Sequence, residues 1–198
     1  MSEPARTVAL RIVGFAGSLR AASLNRALLL AARDLSPREM SLHIEELGEV
    51  PLFNADLSGA STPKSVVRLR NAVQAADGLL LATPEYNHGV PGVLKNAIDW
   101  LSQPLHASPL EGKPTAIIGA STGFSGSARG QMQLRQSLVL TNTPVMLQPE
   151  VLVGRAHEKF DVAGRLTDEG TRQFIANFLI RFVSWAFYQK DSPGNRTG

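Results

Sequence analysis

Apolar residues in this chain gather in short unbroken runs, each closed by a loop rich in glycine, proline or hydroxyl side chains. Val8–Phe15, Gly78–Ala82 and Pro114–Ala120 show almost no polar alternation, the pattern of parallel strands buried on both faces. Met40–Glu46 alternates and reads as a more exposed strand. A fifth strand is expected at Val145–Leu147 or Glu150–Val153, with Pro149 between them marking a bulge or an edge. Helical periodicity fills the gaps: Arg26–Arg33, Lys64–Ala75 behind Pro63, Val93–Leu101 and Ala128–Leu140. A last helix opens at Thr167-Asp168-Glu169, whose charges suit its positive end. Phe174, Ile175, Phe178, Leu179, Phe182, Val183, Trp185 and Ala186 recur along it at helical spacing and predict a core stripe. Alternating strands and helices imply an α/β fold with a doubly wound five-stranded parallel sheet. In the strand order 2-1-3-4-5 the loops after strands one, three and four meet at one crevice.

Two stretches stand apart from this pattern. Leu47 to Thr62 is a long loop, in which Leu52-Phe53-Asn54 either line a pocket or pack beneath it. In Val93–Leu101 the apolar arc is wider than the stripe of a surface helix. That helix is expected to be covered on two sides, by the sheet and by either its own chain's loops or a second subunit.

At 198 residues the chain fits one domain, residues 1–190, followed by a polar tail at 191–198 expected to be disordered. The net charge of +3 comes from fifteen arginines and five lysines spread without runs, which disfavours nucleic acid. There is no cysteine, so disulfides, thiolate zinc and iron–sulfur clusters are excluded and redox chemistry needs an organic cofactor or another metal. The four histidines show no paired metal spacing. The first residues lead into a strand rather than a signal peptide, and no apolar run reaches membrane-spanning length. A soluble cytoplasmic protein without membrane insertion is the expectation.

The candidate chemistry lies in the three loops. The first, Ala16 to Asn25, places Ser18, Arg20, Ser23 and Asn25 before a helix, where free N–H groups and the positive dipole end favour a phosphate. Ser23 is the natural N-cap, and a capping box would put Glu or Gln where Arg26 stands, so the helix brings no anion of its own. The loop matches neither the P-loop nor the dinucleotide fingerprint. The second, Thr83-Pro84-Glu85-Tyr86-Asn87-His88-Gly89-Val90-Pro91-Gly92, combines a rigid turn with a ring, a carboxylate, an amide and an imidazole. The third, Ser121 to Ser127, supplies small polar groups. A phosphate joined to a flat heterocycle by a short chain, FMN, fits such a set better than a triphosphate or a dinucleotide.

Gly17-Ser18-Leu19-Arg20-Ala21-Ala22-Ser23-Leu24-Asn25 and Pro84 to Trp100 resemble the two signatures of the NADPH-dependent FMN reductase family, whose relatives include quinone, chromate and azo-dye reductases. The likeness runs from about Ala9 to Val153. It implies a flavodoxin-like fold, bound FMN, NADPH or NADH as co-substrate, a small-molecule electron acceptor, and homodimers or homotetramers with flavin sites at subunit interfaces. By the same likeness Ser18, Arg20, Ser23 and Asn25 hold the FMN phosphate. Pro84, Glu85, Tyr86 and Asn87 wrap the ring edge, and Ser121, Thr122 and Gly123 close its other side. His88 stands at a variable position of the family, and no side chain is nominated as catalytic, because hydride transfer through a flavin needs orientation more than acid–base groups.

Two other functions compete. Gly119-Ala120-Ser121-Thr122-Gly123 matches the Gly-x-Ser-x-Gly of serine hydrolases, but the following acid and base would have to be Glu150 and His157, a poor triad. A flavodoxin-like electron carrier or regulator without nicotinamide turnover is the second; carriers of that kind tend to be acidic, whereas this chain is slightly basic. Arg129 and Glu150 are a candidate pair across subunits.

Overall fold

The computed structural model describes residues 9–191. Strands β1 (Leu10–Ala16), β2 (Met40–Ile44), β3 (Gly78–Ala82), β4 (Thr115–Ala120) and β5 (Val151–Val153) alternate with helices α1 (Leu24–Asp34), α2 (Lys64–Ala75), α3 (Gly92–Leu101), α4 (Ala128–Ser137) and α5 (Glu169–Asp191). The sheet has the expected order β2-β1-β3-β4-β5, and every neighbouring pair is parallel.

Unbroken apolar runs arise because both faces of the sheet are covered. Leu10 and Ile12 of β1, Leu80 of β3 and Ile118 of β4 pack with Leu28, Leu29, Phe178 and Phe182 of α1 and α5. Val13 and Phe15, Leu79 and Leu81, and Ile117 point the other way, onto Leu69 and Val73 of α2, Leu94 and Ile98 of α3 and Leu134 of α4. In the central strands successive residues therefore meet helices on opposite faces, while the edge strand β2 keeps Ser41 and His43 exposed.

Several boundaries differ from the sequence reading. The strand expected from Val8 begins at Leu10, and Val8 itself lies outside the described residues. Helix α1 starts two residues before Arg26, at Leu24. Helix α4 stops at Ser137 although apolar residues continue to Leu140. Leu138 turns into the core, but Val139 and Leu140 are each 73% exposed. Beyond them the buried Thr141 and Thr143 hydroxyls lie 2.7 Å apart within reach of the Leu138 and Leu110 carbonyls; one donates to the other, which donates to a carbonyl, an alternative to continued helix.

Both candidate fifth strands touch β4. Val145 bridges Thr115 at one end, and Val151–Val153 pairs along Ile118–Ala120 at the other, with Pro149 between. In α5 the side chain of Asp168 accepts the Thr171 N–H at 2.9 Å, so the helix opens at Glu169. It runs through Lys190 and Asp191, the latter placed in the tail by the sequence reading; residues 192–198 lie outside those described. Phe174, expected in the stripe, is 42% exposed. In the long loop Phe53 packs edge-on to Trp100, with ring centroids 5.0 Å apart, while Leu52 turns outward.

At the amino-terminal end of the sheet, Asp77 accepts the Arg11 N–H at 2.8 Å and pairs with Lys190 of α5 at 2.6 Å. Burial pushes this carboxyl up, but the bonds from Lys190 and Arg11 together with their charges outweigh it and hold the group below its ordinary value. A lowered folded-state value stabilises above the unfolded value and is lost as pH falls through the folded one. Asp77→Asn is therefore expected to cost about 1 kcal/mol at neutral pH. The gap to wild type should narrow in urea titrations as pH falls below the ordinary aspartate value. A gap that persists there assigns the loss to packing instead.

Candidate active site

The order in which strands are added reverses between β1 and β3, so the loops after β1, β3 and β4 converge at the strands' carboxyl ends. Ser18, Arg20, Ser23 and Asn25 of the first loop share one cleft with Pro84, Glu85 and Tyr86 of the second and Ser121 and Thr122 of the third. Leu24 and Ala120, unnoticed in the sequence because they carry no chemistry of their own, complete its floor. The first two loops touch directly, since Tyr86 Oη donates to Ser18 Oγ at 3.2 Å. They approach so closely because position 17 is glycine: a Cβ there would lie 2.6 Å from Pro91 and 3.1 Å from Pro84.

The first loop is built for an anion. Ser23 caps α1 by accepting the Arg26 N–H at 3.1 Å, while the N–H groups of Leu24 and Asn25 have no acceptor among the described residues. Arg26 is neutralised by Glu46 at 2.8 Å. The Arg20 side chain, which is exposed, makes no ion pair or hydrogen bond among the described residues, and so leaves one uncommitted positive charge beside unfilled amides. Asn25 behaves differently from its neighbours: its side chain is buried and both ends bind the backbone of Ala120, at 2.9 Å each.

The second loop is a tight reversal. Tyr86 and Gly89 exchange backbone hydrogen bonds at 3.2 and 3.0 Å, and Asn87 and His88 between them have φ of 51° and 62°. This is the left-handed pair of a two-residue hairpin turn, in which glycine is the natural second residue. His88→Gly is expected to stabilise the protein by about 0.5–1 kcal/mol in urea unfolding. Lower stability in that variant would mean that the imidazole makes a contact offsetting its backbone strain. Asn87 sits at the tip, outside the cleft lining.

Glu85 does not present its carboxylate to the cleft. Ser127 precedes α4 in a left-handed conformation, φ 76°, and supplies no side-chain cap. Glu85 Oε2 takes that role, accepting the Arg129 and Gly130 N–H groups at 2.9 and 3.2 Å, and Oε1 lies 3.5 Å from the Arg129 guanidinium. Within one chain Arg129 pairs with Glu85, and Glu150 faces Arg135 at 4.0 Å.

The third loop is stapled to β5 and the turn after it. Ser121 donates its N–H to Val153 and accepts the Ala156 N–H, and Gly123 accepts that of Arg155. Ser121 Oγ accepts the Gly123 N–H at 3.1 Å, which places Gly123 behind Ser121 rather than in the lining. Phe124 projects outward, 88% exposed, with the Arg155 guanidinium 6.0 Å from its ring centroid. The hydrolase reading finds no support in this geometry. Ser121 is not in a left-handed elbow, α4 begins only at Ala128, and among the described residues no histidine bonds its hydroxyl.

The model of the NADPH-dependent FMN reductase family matches residues 10–158. A NAD(P)H-dependent FMN reductase of Pseudomonas aeruginosa is 44% identical over 176 residues, covering 89% of this chain and 95% of that protein. A quinone reductase of Pseudomonas putida is 42% identical, covering 85% and 90% respectively. Among solved structures, the flavoenzyme NAD(P)H:(acceptor) oxidoreductase FerB from Paracoccus denitrificans superposes with a TM-score of 0.84 at 36% identity, over 91% of this chain and 98% of its own. A flavodoxin from Pseudomonas aeruginosa, at 16% identity and a TM-score of 0.55, shares the fold alone. With the three loops in place on this sheet and relatives matching across most of their length, the chain belongs to the NADPH-dependent FMN reductase family.

Proposed function

We propose that the chain is an FMN-dependent oxidoreductase. It takes hydride from NADPH or NADH and passes reducing equivalents to a quinone, free flavin, chromate or an azo compound. The observation that carries this is the single cleft in which an unpaired arginine and free helix amides stand beside a hydrogen-bonded Tyr86 and a second polar wall. The residues fit the cofactor: among the described residues the amides of Leu24 and Asn25 lack acceptors and Arg20 lacks a counter-ion, both of which a phosphate would supply.

When bound, FMN supplies a two-electron relay between nicotinamide and acceptor. The protein's own share is orientation. Arg20, Ser18 and the start of α1 fix the phosphate end, Pro84 to Tyr86 form one wall for the ring, and Ser121 and Thr122 form the other. Binding Glu85 to the amino end of α4 keeps a carboxylate from opposing negative charge in the cleft. No proton donor is required of the chain, and none is assigned.

The further reading is a cytoplasmic homodimer or homotetramer acting on small molecules, without nucleic acid or membrane insertion. Met132, Val139, Leu140 and Leu147, each at least 68% exposed, support self-association. No helix among the described residues is long and apolar enough to cross a membrane. Purified protein should be yellow or take up FMN, and should consume NADPH or NADH steadily when a quinone is added. Colourless protein that refuses FMN defeats the proposal, and bound flavin without nicotinamide turnover favours the carrier or regulator.

A further inference from the structure

Asn25 does not face an anion. It is 3% exposed, and its side chain reaches from the first turn of α1 to the last residue of β4. Nδ2 donates to the Ala120 carbonyl and Oδ1 accepts the Ala120 N–H, each at 2.9 Å. The sheet register explains why Ala120 needs this. β3 and β4 pair from Leu79 with Thr115 to Ala82 with Ile118, and Thr83 N–H still donates to Ile118 at 2.9 Å. Two residues further along the same edge, a continued parallel ladder would give Ala120 the Thr83 carbonyl and the Glu85 N–H, but the chain leaves the sheet at Pro84 and neither bond forms. A buried peptide group would be left without partners at the lip of the cleft, which is costly. The Asn25 amide, with donor and acceptor side by side, stands where a strand residue would.

We propose that Asn25 is a positioning residue of the flavin site. It acts on the ring through Ala120 and the adjoining Ser121 and Thr122, not on the phosphate. The inference rests on the flavin reading above and reassigns one residue within it. Because Asn25 is the second residue of the helix that Ser23 caps, the phosphate loop and the third loop are held at a fixed separation.

Riboflavin, which lacks the phosphate, separates the two roles. Asn25→Ala is expected to weaken FMN and riboflavin by the same factor, roughly tenfold or more, measured by quenching of flavin fluorescence. It should also shift the visible band of FMN at saturation. Arg20→Ala should weaken FMN alone and leave that band in place. Asn25→Asp adds a chemical rescue. Ionised, it sets a second acceptor against the Ala120 carbonyl; protonated, it regains a donor. Riboflavin binding by this variant should therefore recover toward wild type as pH is lowered from ~8 to ~5, since burial raises a carboxyl's pKa. Arg20 and Tyr86 are the ionisable side chains that face the cleft, and Glu85, whose carboxylate is turned to the start of α4, pairs with Arg129 beside it. Wild type contains all of them, so its own pH profile corrects for their titration.

A loss in Asn25→Ala confined to FMN, with an unshifted band, overturns the inference and makes Asn25 a phosphate ligand. Wild-type protein that binds neither flavin overturns the flavin reading and the inference with it. Should Asn25→Ala not fold, Asn25→Asp decides: riboflavin binding at the wild-type level across the whole pH range overturns the proposal.

Discussion

Gly119→Ala is expected to destabilise the protein by about 3 kcal/mol, a large fraction of a domain's stability. A Cβ at this position in β4 would stand 1.8 Å from Ser127 Oγ, 2.7 Å from the Thr83 carbonyl oxygen and 2.9 Å from Gln131 Nε2. None of the three can yield easily. Ser127 and Gln131 are fully buried, Ser127 is already in the left-handed region, and Thr83 belongs to the backbone that leaves β3. Gln131 is also bound to Val151 at 2.9 Å, so displacing it pulls on β5. Adding Ser127→Gly removes the nearest atom and suits the left-handed backbone, and should restore part of the loss, the Thr83 contact remaining. The urea midpoint is the measurement. A single variant within about 0.5 kcal/mol of wild type would mean that α4 can withdraw from the sheet, against the geometry described.

Arg20→Ala is expected to reduce FMN affinity by 10- to 100-fold, about 1.5–3 kcal/mol, the range for a hydrogen bond to a charged group. Stability without flavin should not change, because the side chain is exposed and makes no internal bond among the described residues. Arg26→Ala is the natural comparison: its charge is spent on Glu46, so its effect on FMN should be several-fold smaller. Equilibrium dialysis against FMN distinguishes the two. Equal retention by wild type and Arg20→Ala would place the phosphate elsewhere.

Much of this architecture can be read from residue patterns because its cause is local. Leu79, Leu80 and Leu81 read as a strand covered on both faces because the run is too short for a buried helix and is cut off at once by a Pro-Glu-Tyr-Asn turn. Ser23 as a cap and Arg20 as a free cation follow from which residue types begin a helix. What pattern does not show is a partner distant in sequence. Glu85 reads as a ligand because it stands in a polar loop, yet it terminates a helix that begins more than forty positions later and lacks a cap of its own. Asn25 reads as part of a phosphate motif, yet it repairs a strand edge on β4. Val139 and Leu140 continue a helical period that the chain abandons, because Thr141 and Thr143 find partners in each other and in carbonyls already placed. Legible features thus depend on spacing, and the missed ones on how a carbonyl or N–H is satisfied across the fold.

Helix α5 carries Lys190 to Asp77, at the edge of the sheet from which the strands depart. A surface tether attached at that end would hold the molecule with the proposed flavin cleft turned away from the support. On a conducting electrode this mounting would leave diffusible quinone free to enter, while direct electron tunnelling from the metal would have to cross the full length of the strands.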